Sequence, residues 1–342
     1  MIRVVVVDDS PTMRALIAEV LRRESDISVI GSAADAIEAR AMIRKLQPDV
    51  VTLDIEMPGM KGLDFLDRLM RLRPTPVIVV SCHTRKGAEV TVRALEIGAV
   101  DCYAKPDGRA GEFLRSDGGQ LAELIRVAAQ AQVSNRPIAA VPKPRTVALT
   151  KGNQAQLIAV GASTGGVEAL QVLLQNFPAD CPPTVIVQHI NGHFAEAVAR
   201  RLDQWCAPKV TVSEPDLLLR PGHVYLAPGT DRHLQVRSAN GGLTAKMRAG
   251  DTVSGHRPSV DMLFRSVAEA VGSDAVGILL TGMGSDGAQG LLAMLKAGAV
   301  TIAQDEATST VFGMPRAAIA LGAAKLVAPI QRIADHALAR AA

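Results

Sequence analysis

The chain has 342 residues, enough for two domains that each bury a core. Its 48% hydrophobic, 21% charged and 3% aromatic residues and net charge of +3 describe a globular protein without the long basic run or aromatic surface of a nucleic-acid binder. The four cysteines, Cys82, Cys102, Cys181 and Cys206, show neither metal-ligand spacing nor disulfide-scaffold density, and the apolar run at the start ends in acids too soon for a signal peptide or membrane span; a reducing cytoplasm is expected.

The run 4–7 is wholly apolar, as in a central parallel strand, and ends at Asp8, Asp9 and Ser10, with Pro11 opening a helix to about 23. A second strand near 27–31 leads into an Ala-rich helix. A third, 49–53, delivers Asp54, followed by Glu56, Met57, Pro58 and Gly59. A fourth, 76–80, ends at Ser81, and a fifth, 99–104, at Lys105 and Pro106. Strands alternating with helices predict a doubly wound parallel sheet with its site outside the strand carboxyl ends. Asp8, Asp9, Asp54, Ser81 and Lys105 then converge on one edge. Clustered carboxylates repel one another and favour a hard cation such as Mg²⁺. Such an ion and the lysine can neutralise a phosphoryl group.

On Asp8-Asp9, Asp54 with Met57-Pro58-Gly59, Ser81 and Lys105-Pro106, residues 1 to about 125 resemble response-regulator receiver domains of two-component systems. The resemblance implies a five-stranded, flavodoxin-like fold and phosphorylation of Asp54 by a histidine kinase. Asp8, Asp9, the Asp54 carboxylate and the Glu56 carbonyl would hold Mg²⁺, and Ser81 and Lys105 would read the phosphoryl group. Cys102 stands where many receivers carry an aromatic, so no aromatic-rotamer switch is expected.

Residues 120–132 have apolar positions at helical spacing and predict the last receiver helix. The stretch 133–156 that follows, with three prolines and no periodicity, reads as a linker. The expected division is 1–125, a helix end and linker over 126–155, and a second domain over 156–342.

In that domain the run 157–160 meets Gly161-Ala162-Ser163-Thr164-Gly165-Gly166 and then a helix over 167–177. The pattern is G-x-S-x-G, a tight strand-to-helix turn that can present a serine hydroxyl, or equally a serine cap. The run 184–187 leads to Gln188 and His189, with a helix predicted over 195–205. The run 275–280 ends at Thr281-Gly282-Met283-Gly284-Ser285-Asp286-Gly287 before a helix to about 297. Ser163, His189 and Asp286 therefore fall at or beyond three strand ends. Serine needs an imidazole to take its proton, the imidazole needs a carboxylate to orient it, and backbone N–H groups near Ser163 and Met283 can bind an oxyanion.

Two other outputs fit parts of the pattern. Gly282-Met283-Gly284-Ser285-Asp286-Gly287 is also formally G-x-G-x-x-G, with Asp305 near the offset of a ribose-binding acid, which suggests a nucleotide-binding output. Asp286 at the helix start opposes a pyrophosphate there. Receivers also commonly control DNA-binding outputs, but no short helix-turn-helix with a basic face is visible. Residues 208–250 read as an antiparallel excursion beside the parallel core, and His256-Arg257-Pro258-Ser259-Val260-Asp261 as a helix opening with its cap.

Those motifs, with Val187-Gln188-His189, Pro221-Gly222-His223-Val224-Tyr225-Leu226-Ala227-Pro228-Gly229, Ala303-Gln304-Asp305-Glu306 and Phe312-Gly313-Met314-Pro315, resemble the chemotaxis protein-glutamate methylesterases of the CheB type over nearly the whole chain. The resemblance implies a mostly parallel α/β esterase domain. It implies a hydrolase that demethylates glutamate γ-methyl esters on methyl-accepting chemotaxis receptors, releasing methanol, and deamidates selected glutamines. Ser163 would be the nucleophile, His189 the base and Asp286 its orienter, with Thr164 and Met283 on the oxyanion side and no cofactor in the esterase domain. The protein would act as a cytoplasmic monomer without nucleic acid or membrane insertion, its esterase crevice covered until Asp54 is phosphorylated. Asn191-Gly192-His193 departs from the Pro-Pro-Gly-Phe-like turn expected after the histidine.

Overall fold

The computed structural model describes residues 1–57, 62–81, 84–105, 119–133, 155–239 and 241–339, with backbone alone at 85 and 86. Pro58, Gly59, Cys82, Pro106 and the linker stretch 134–154 lie outside the described residues. The chain forms two compact units, Met1–Ala140 and Val141–Ala342.

The first unit is built on β1 (Ile2–Val7), β2 (Ile27–Ala33), β3 (Val50–Asp54), β4 (Val77–Ser81) and β5 (Asp101–Ala104). All pairings are parallel, in the order β2-β1-β3-β4-β5. Val4 to Val7 are at most 1% exposed, which explains a run with no polar alternation. Ser10 caps the helix Pro11–Arg22 by accepting from the Met13 N–H, and Pro11 occupies the first turn, where its missing N–H costs nothing. From β1 the chain winds one way to β2, and from β3 the other way to β4. The crevice of a doubly wound sheet opens at this reversal, between the ends of β1 and β3. The helix Gln120–Ala129 buries Leu121, Ala122, Ile125 and Ala128 against this unit.

The second unit holds a seven-stranded sheet in the order β14-β13-β12-β6-β7-β9-β8, parallel throughout. Its strands are β6 (Leu157–Ala162), β7 (Thr184–Gln188), β8 (Lys209–Val212), β9 (His223–Leu226), β12 (Ala275–Leu279), β13 (Val300–Gln304) and β14 (Leu326–Ala328). Winding reverses between β6 and β12. The antiparallel excursion predicted over 208–250 is smaller than expected. It consists of the hairpin β10 (Arg232–Ala239) and β11 (Gly242–Ala249), while β8 and β9 join the main sheet in parallel. A parallel neighbour needs a crossover. Here the crossover after β8 pairs its own backbone with β11, through Asp216 N–H to Ala245 O and Leu219 N–H to Leu243 O (both 2.9 Å). Leu234, Val236, Leu243 and Ala245 of the hairpin bury their side chains with Leu263, Phe264 and Val267 of the helix Val260–Ala270.

The helix after β7 begins at Gly192, three residues earlier than predicted, because the Asn191 side chain accepts from the His193 N–H and caps it.

Candidate functional site

Each winding reversal carries a cluster of side chains. In the first unit, Asp8 follows β1 and is fully buried, Asp54 ends β3 at 5% exposure, and Asp9 faces water. The Lys105 ammonium bridges the two buried acids, 3.0 Å from Asp8 Oδ2 and 2.6 Å from Asp54 Oδ2. The other oxygens accept backbone N–H groups, Asp8 Oδ1 from Ser10 and Asp54 Oδ1 from Glu56 (both 2.9 Å). Burial pushes the Asp8 carboxyl up, and Lys105 only partly offsets it. For Lys105, burial lowers the pKa, but Asp54 and Asp8 outweigh it and the net shift is upward. One oxygen each of Asp8, Asp9 and Asp54 lie within 4.8 Å of one another, a spacing and an all-oxygen donor set that suit a hard divalent cation. Such an ion, when bound, neutralises the charge of an incoming phosphoryl group. Ser81 is fully buried at the end of β4, and its carbonyl accepts from the Lys105 N–H at 2.8 Å. Tyr103, next to Cys102 on β5, is buried in the core at 2% exposure.

In the second unit Ser163 stands one residue beyond β6, the middle strand of three. Its register continues on both sides, with His189 N–H to Ala162 O (2.9 Å) from β7 and Ser163 N–H to Thr281 O (3.0 Å) toward β12. Two glycines make room for this turn, Gly165 within it and Gly282 facing it from the loop after β12. Gly165 has φ +74°, and a Cβ there would lie 2.5 Å from the Thr310 side chain; at Gly282 a Cβ would lie 2.6 Å from that of Ser163. Gln188 reaches back from β7, its Nε2 donating to Ser163 O (2.8 Å) and His189 O (3.1 Å). Ser163 is 9% exposed.

His189 Nε2 lies 2.9 Å from Asp286 Oδ2. Asp286 is 1% exposed, yet three further donors reach it: Ser259 Oγ (2.7 Å), Val260 N–H (2.7 Å) and Asp261 N–H (3.1 Å). Burial alone would raise its pKa, but hydrogen bonds from His189, Ser259 and Asp261 outweigh it and the net shift is downward. An ionised carboxylate only accepts, so Nε2 carries the hydrogen, and the neutral form of the ring has its lone pair on Nδ1. Nδ1 is buried and finds no hydrogen-bond partner among the described residues. A buried, unsatisfied acceptor in a crevice is what a proton-abstracting base presents.

Thr164 is buried, and its carbonyl accepts from Thr281 Oγ1 at 3.0 Å. Met283 is half-buried in the loop after β12. That loop is pinned by Phe312-Gly313-Met314: Gly282 O accepts from Gly313 N–H (3.1 Å) and Met314 N–H (2.8 Å). The formal dinucleotide pattern at 282–287 is otherwise employed. Asp286 occupies the pre-helix turn with four protein donors, and Asp305 is turned onto Thr308.

The sequence reading missed the partners that steady this set. The stretch 256–261 reads in sequence as a helix opening with its cap. Ser259 does cap, accepting from Met262 N–H at 3.4 Å, but the same hydroxyl donates to Asp286. Ser259 N–H is taken by His233 Nδ1 (3.2 Å), whose Nε2 faces Asp251 O (2.8 Å). His256 stacks on His189. A serine capping a helix whose next residues include an acid was the only local signal; the contacts span 25 to 97 residues of chain.

Together the two units define a response regulator, a receiver sheet joined in one chain to an α/β output unit with serine, histidine and aspartate at its reversal point. Residues 4–111 match the response regulator receiver domain family, and residues 158–337 match the CheB methylesterase family. The chain belongs to the CheB methylesterase family. It is 55% identical to protein-glutamate methylesterase/protein-glutamine glutaminase 1 of Caulobacter vibrioides, over 94% of this chain and 93% of the relative. It is 53% identical to the protein of the corresponding name from Rhizobium etli, over 98% and 95%. The solved CheB methylesterase catalytic domain of Thermotoga maritima aligns with a TM-score of 0.53 at 34% identity, covering 54% of this chain and 98% of that one.

Proposed function

We propose that the protein is a phosphorylation-activated serine hydrolase that demethylates glutamate γ-methyl esters of methyl-accepting chemotaxis receptors and deamidates selected receptor glutamines. The observation that carries this reading is the anchored pair of His189 and Asp286, one step in register from Ser163, with Nδ1 left without a partner among the described residues.

In this reading Ser163 Oγ attacks the ester carbonyl and its proton passes to His189 Nδ1. The developing oxyanion is met by groups on the Thr164 and Met283 side. Collapse breaks the acyl–oxygen bond, and His189 returns the proton to the leaving methoxide as methanol. Water, deprotonated by the same nitrogen, then hydrolyses the acyl-serine to a glutamate carboxylate and restores Ser163. With glutamine the leaving group is ammonia and the product is the same. No esterase-side cofactor takes part in this scheme.

Residues 1–125 act as the receiver, 126–155 as the connection and 156–342 as the catalytic domain. A chemotaxis-type histidine kinase donates the phosphoryl group to Asp54. Asp8, Asp9, Asp54 and the Glu56 carbonyl hold Mg²⁺, and Ser81 and Lys105 sense the phosphoryl oxygens. The protein works in the cytoplasm as a monomer, without nucleic acid. Among the described residues no helix is long and apolar enough to cross a membrane. The test is methanol release from methylated receptor membranes with and without a phosphodonor. The wild type is expected to release methanol faster with the donor, and Ser163→Ala to release none while Asp54 is still phosphorylated. Ester hydrolysis that persists in Ser163→Ala would refute the nucleophile.

A further inference from the structure

Asp286 holds the His189 imidazole by one edge, and a second ring covers its face. The His256 ring lies parallel to it, with centroids 3.8 Å apart and planes 8° from each other. The His256 backbone is itself clamped, exchanging two N–H···O bonds with Val253 (both 3.0 Å). A few residues on, Ser259, Val260 and Asp261 donate to Asp286. One short stretch therefore grips the carboxylate and walls the imidazole at the same time.

A single in-plane hydrogen bond leaves an imidazole free to tilt about that bond and to turn about its Cβ–Cγ axis. Reacting groups displaced by about 1 Å lose on the order of a hundredfold in rate. A flat ring in contact with the other face removes the tilt. It also keeps water off that side of a nitrogen that has no hydrogen-bond partner among the described residues.

We propose that His256 is a positioning residue for the serine chemistry: its ring fixes the plane of His189, so that Nε2 stays on Asp286 and Nδ1 stays available to the Ser163 hydroxyl. The proposal rests on the reading of Ser163, His189 and Asp286 as the reacting set. The ring can do this only while uncharged, since a cation stacked on His189 would oppose the imidazolium formed during acyl transfer. Its surroundings meet that requirement. Burial, with the nearby His189 adding to it and Asp286 opposing, lowers the His256 pKa to about 4. In this role His256 exchanges no proton with substrate, and another flat ring should substitute for it.

Full-length His256→Ala, His256→Leu and His256→Phe are the informative variants, with two readouts. One is methanol release from methylated receptor membranes as receptor concentration is varied under a phosphodonor. The other is the rate at which a fluorophosphonate labels Ser163 without receptor, which needs the base but not the substrate. His256→Ala and His256→Leu are expected to lower kcat and the labelling rate about 10–100-fold, with KM within about threefold of wild type. His256→Phe is expected to recover most of both.

Wild-type kcat and labelling in His256→Leu would overturn the proposal, because bulk without a ring would then suffice. A loss confined to KM would overturn it too, as would His256→Phe being as slow as His256→Leu with an unchanged unfolding midpoint. Should His256→Ala fail to fold, the leucine and phenylalanine variants decide alone. A wild-type protein that neither releases methanol nor is labelled at Ser163 overturns the hydrolase reading and this proposal with it. An active wild type with indifferent His256 variants overturns this proposal only.

Discussion

The two crevices obey one topological rule and treat their carboxylates in opposite ways. Both lie where winding reverses, between β1 and β3 in one sheet and between β6 and β12 in the other. In the receiver, Asp8 and Asp54 share Lys105 and each accept, among the described residues, one backbone N–H, and Asp9 stands open to water beside them. Burial wins at Asp8, whose pKa rises. In the second unit Asp286 has four donors and a lowered pKa despite comparable burial. A carboxylate that must gain a phosphoryl group needs an oxygen free to react and a cation to share. A carboxylate that must orient an imidazole needs to stay ionised and still. Hydrogen bonds to a charged group contribute roughly 1.5–3 kcal/mol each, so three fixed donors besides the imidazole settle the second case.

The contrast can be broken most severely at the imidazole. Asp286→Asn turns an N–H toward Nε2 and imposes the wrong tautomer, so kcat for methanol release should fall about 10³–10⁴-fold with the receptor KM little changed. A fall under about tenfold would show that the carboxylate charge is not needed. At the other crevice, Asp54→Ala should abolish stimulation by a phosphodonor, a roughly 5–150-fold effect if the coupling is 1–3 kcal/mol. A variant still stimulated would place the phosphoacceptor elsewhere. Ser259→Ala removes one donor to Asp286 and a helix cap together. It should cost about 1–3 kcal/mol in denaturant unfolding, and a midpoint matching wild type would count against this anchor.

The smallest effect concerns pH, and its sign differs between the crevices. The folded pKa of Asp286 lies below its unfolded value, so its contribution to stability is present above about pH 4 and is lost as pH falls further. Asp8 is raised, so its contribution is favourable below about pH 4 and is lost as pH rises through the folded value. At pH 7, Asp8→Asn is therefore expected to stabilise the receiver sheet by a few degrees and Asp286→Asn to destabilise the other. Hydrogen exchange at β1 and β12 amides during heating separates the two. A destabilising Asp8→Asn would mean that the Lys105 pairing outweighs burial.

Much of this was readable along the chain. Residues 4–7 and 157–160 lack polar alternation because both faces of their strands are covered, and each run stops at the residues that line a crevice. Asp8, Asp54, Ser163, His189 and Asp286 could be named because strand ends in such sheets point one way. The helix after β7 was set too late because the Asn191 cap leaves no apolar period to detect. β8 and β9 were misplaced because pairing partners in a sheet are not encoded by the alternation of either strand.

The sequence by itself determined the two α/β units, their strand ends and the residue types that reach them, since apolar runs, caps and glycine turns are local properties. Only the tertiary structure decided which strands are neighbours and where winding reverses. It alone revealed that Ser259 and the 260–261 backbone secure Asp286, that His233 braces Ser259, and that His256 lies on His189. Those groups are brought together by packing the hairpin β10–β11 and the helix Val260–Ala270 over the sheet. That packing minimises exposed apolar surface over the whole unit, and no stretch of chain carries it alone.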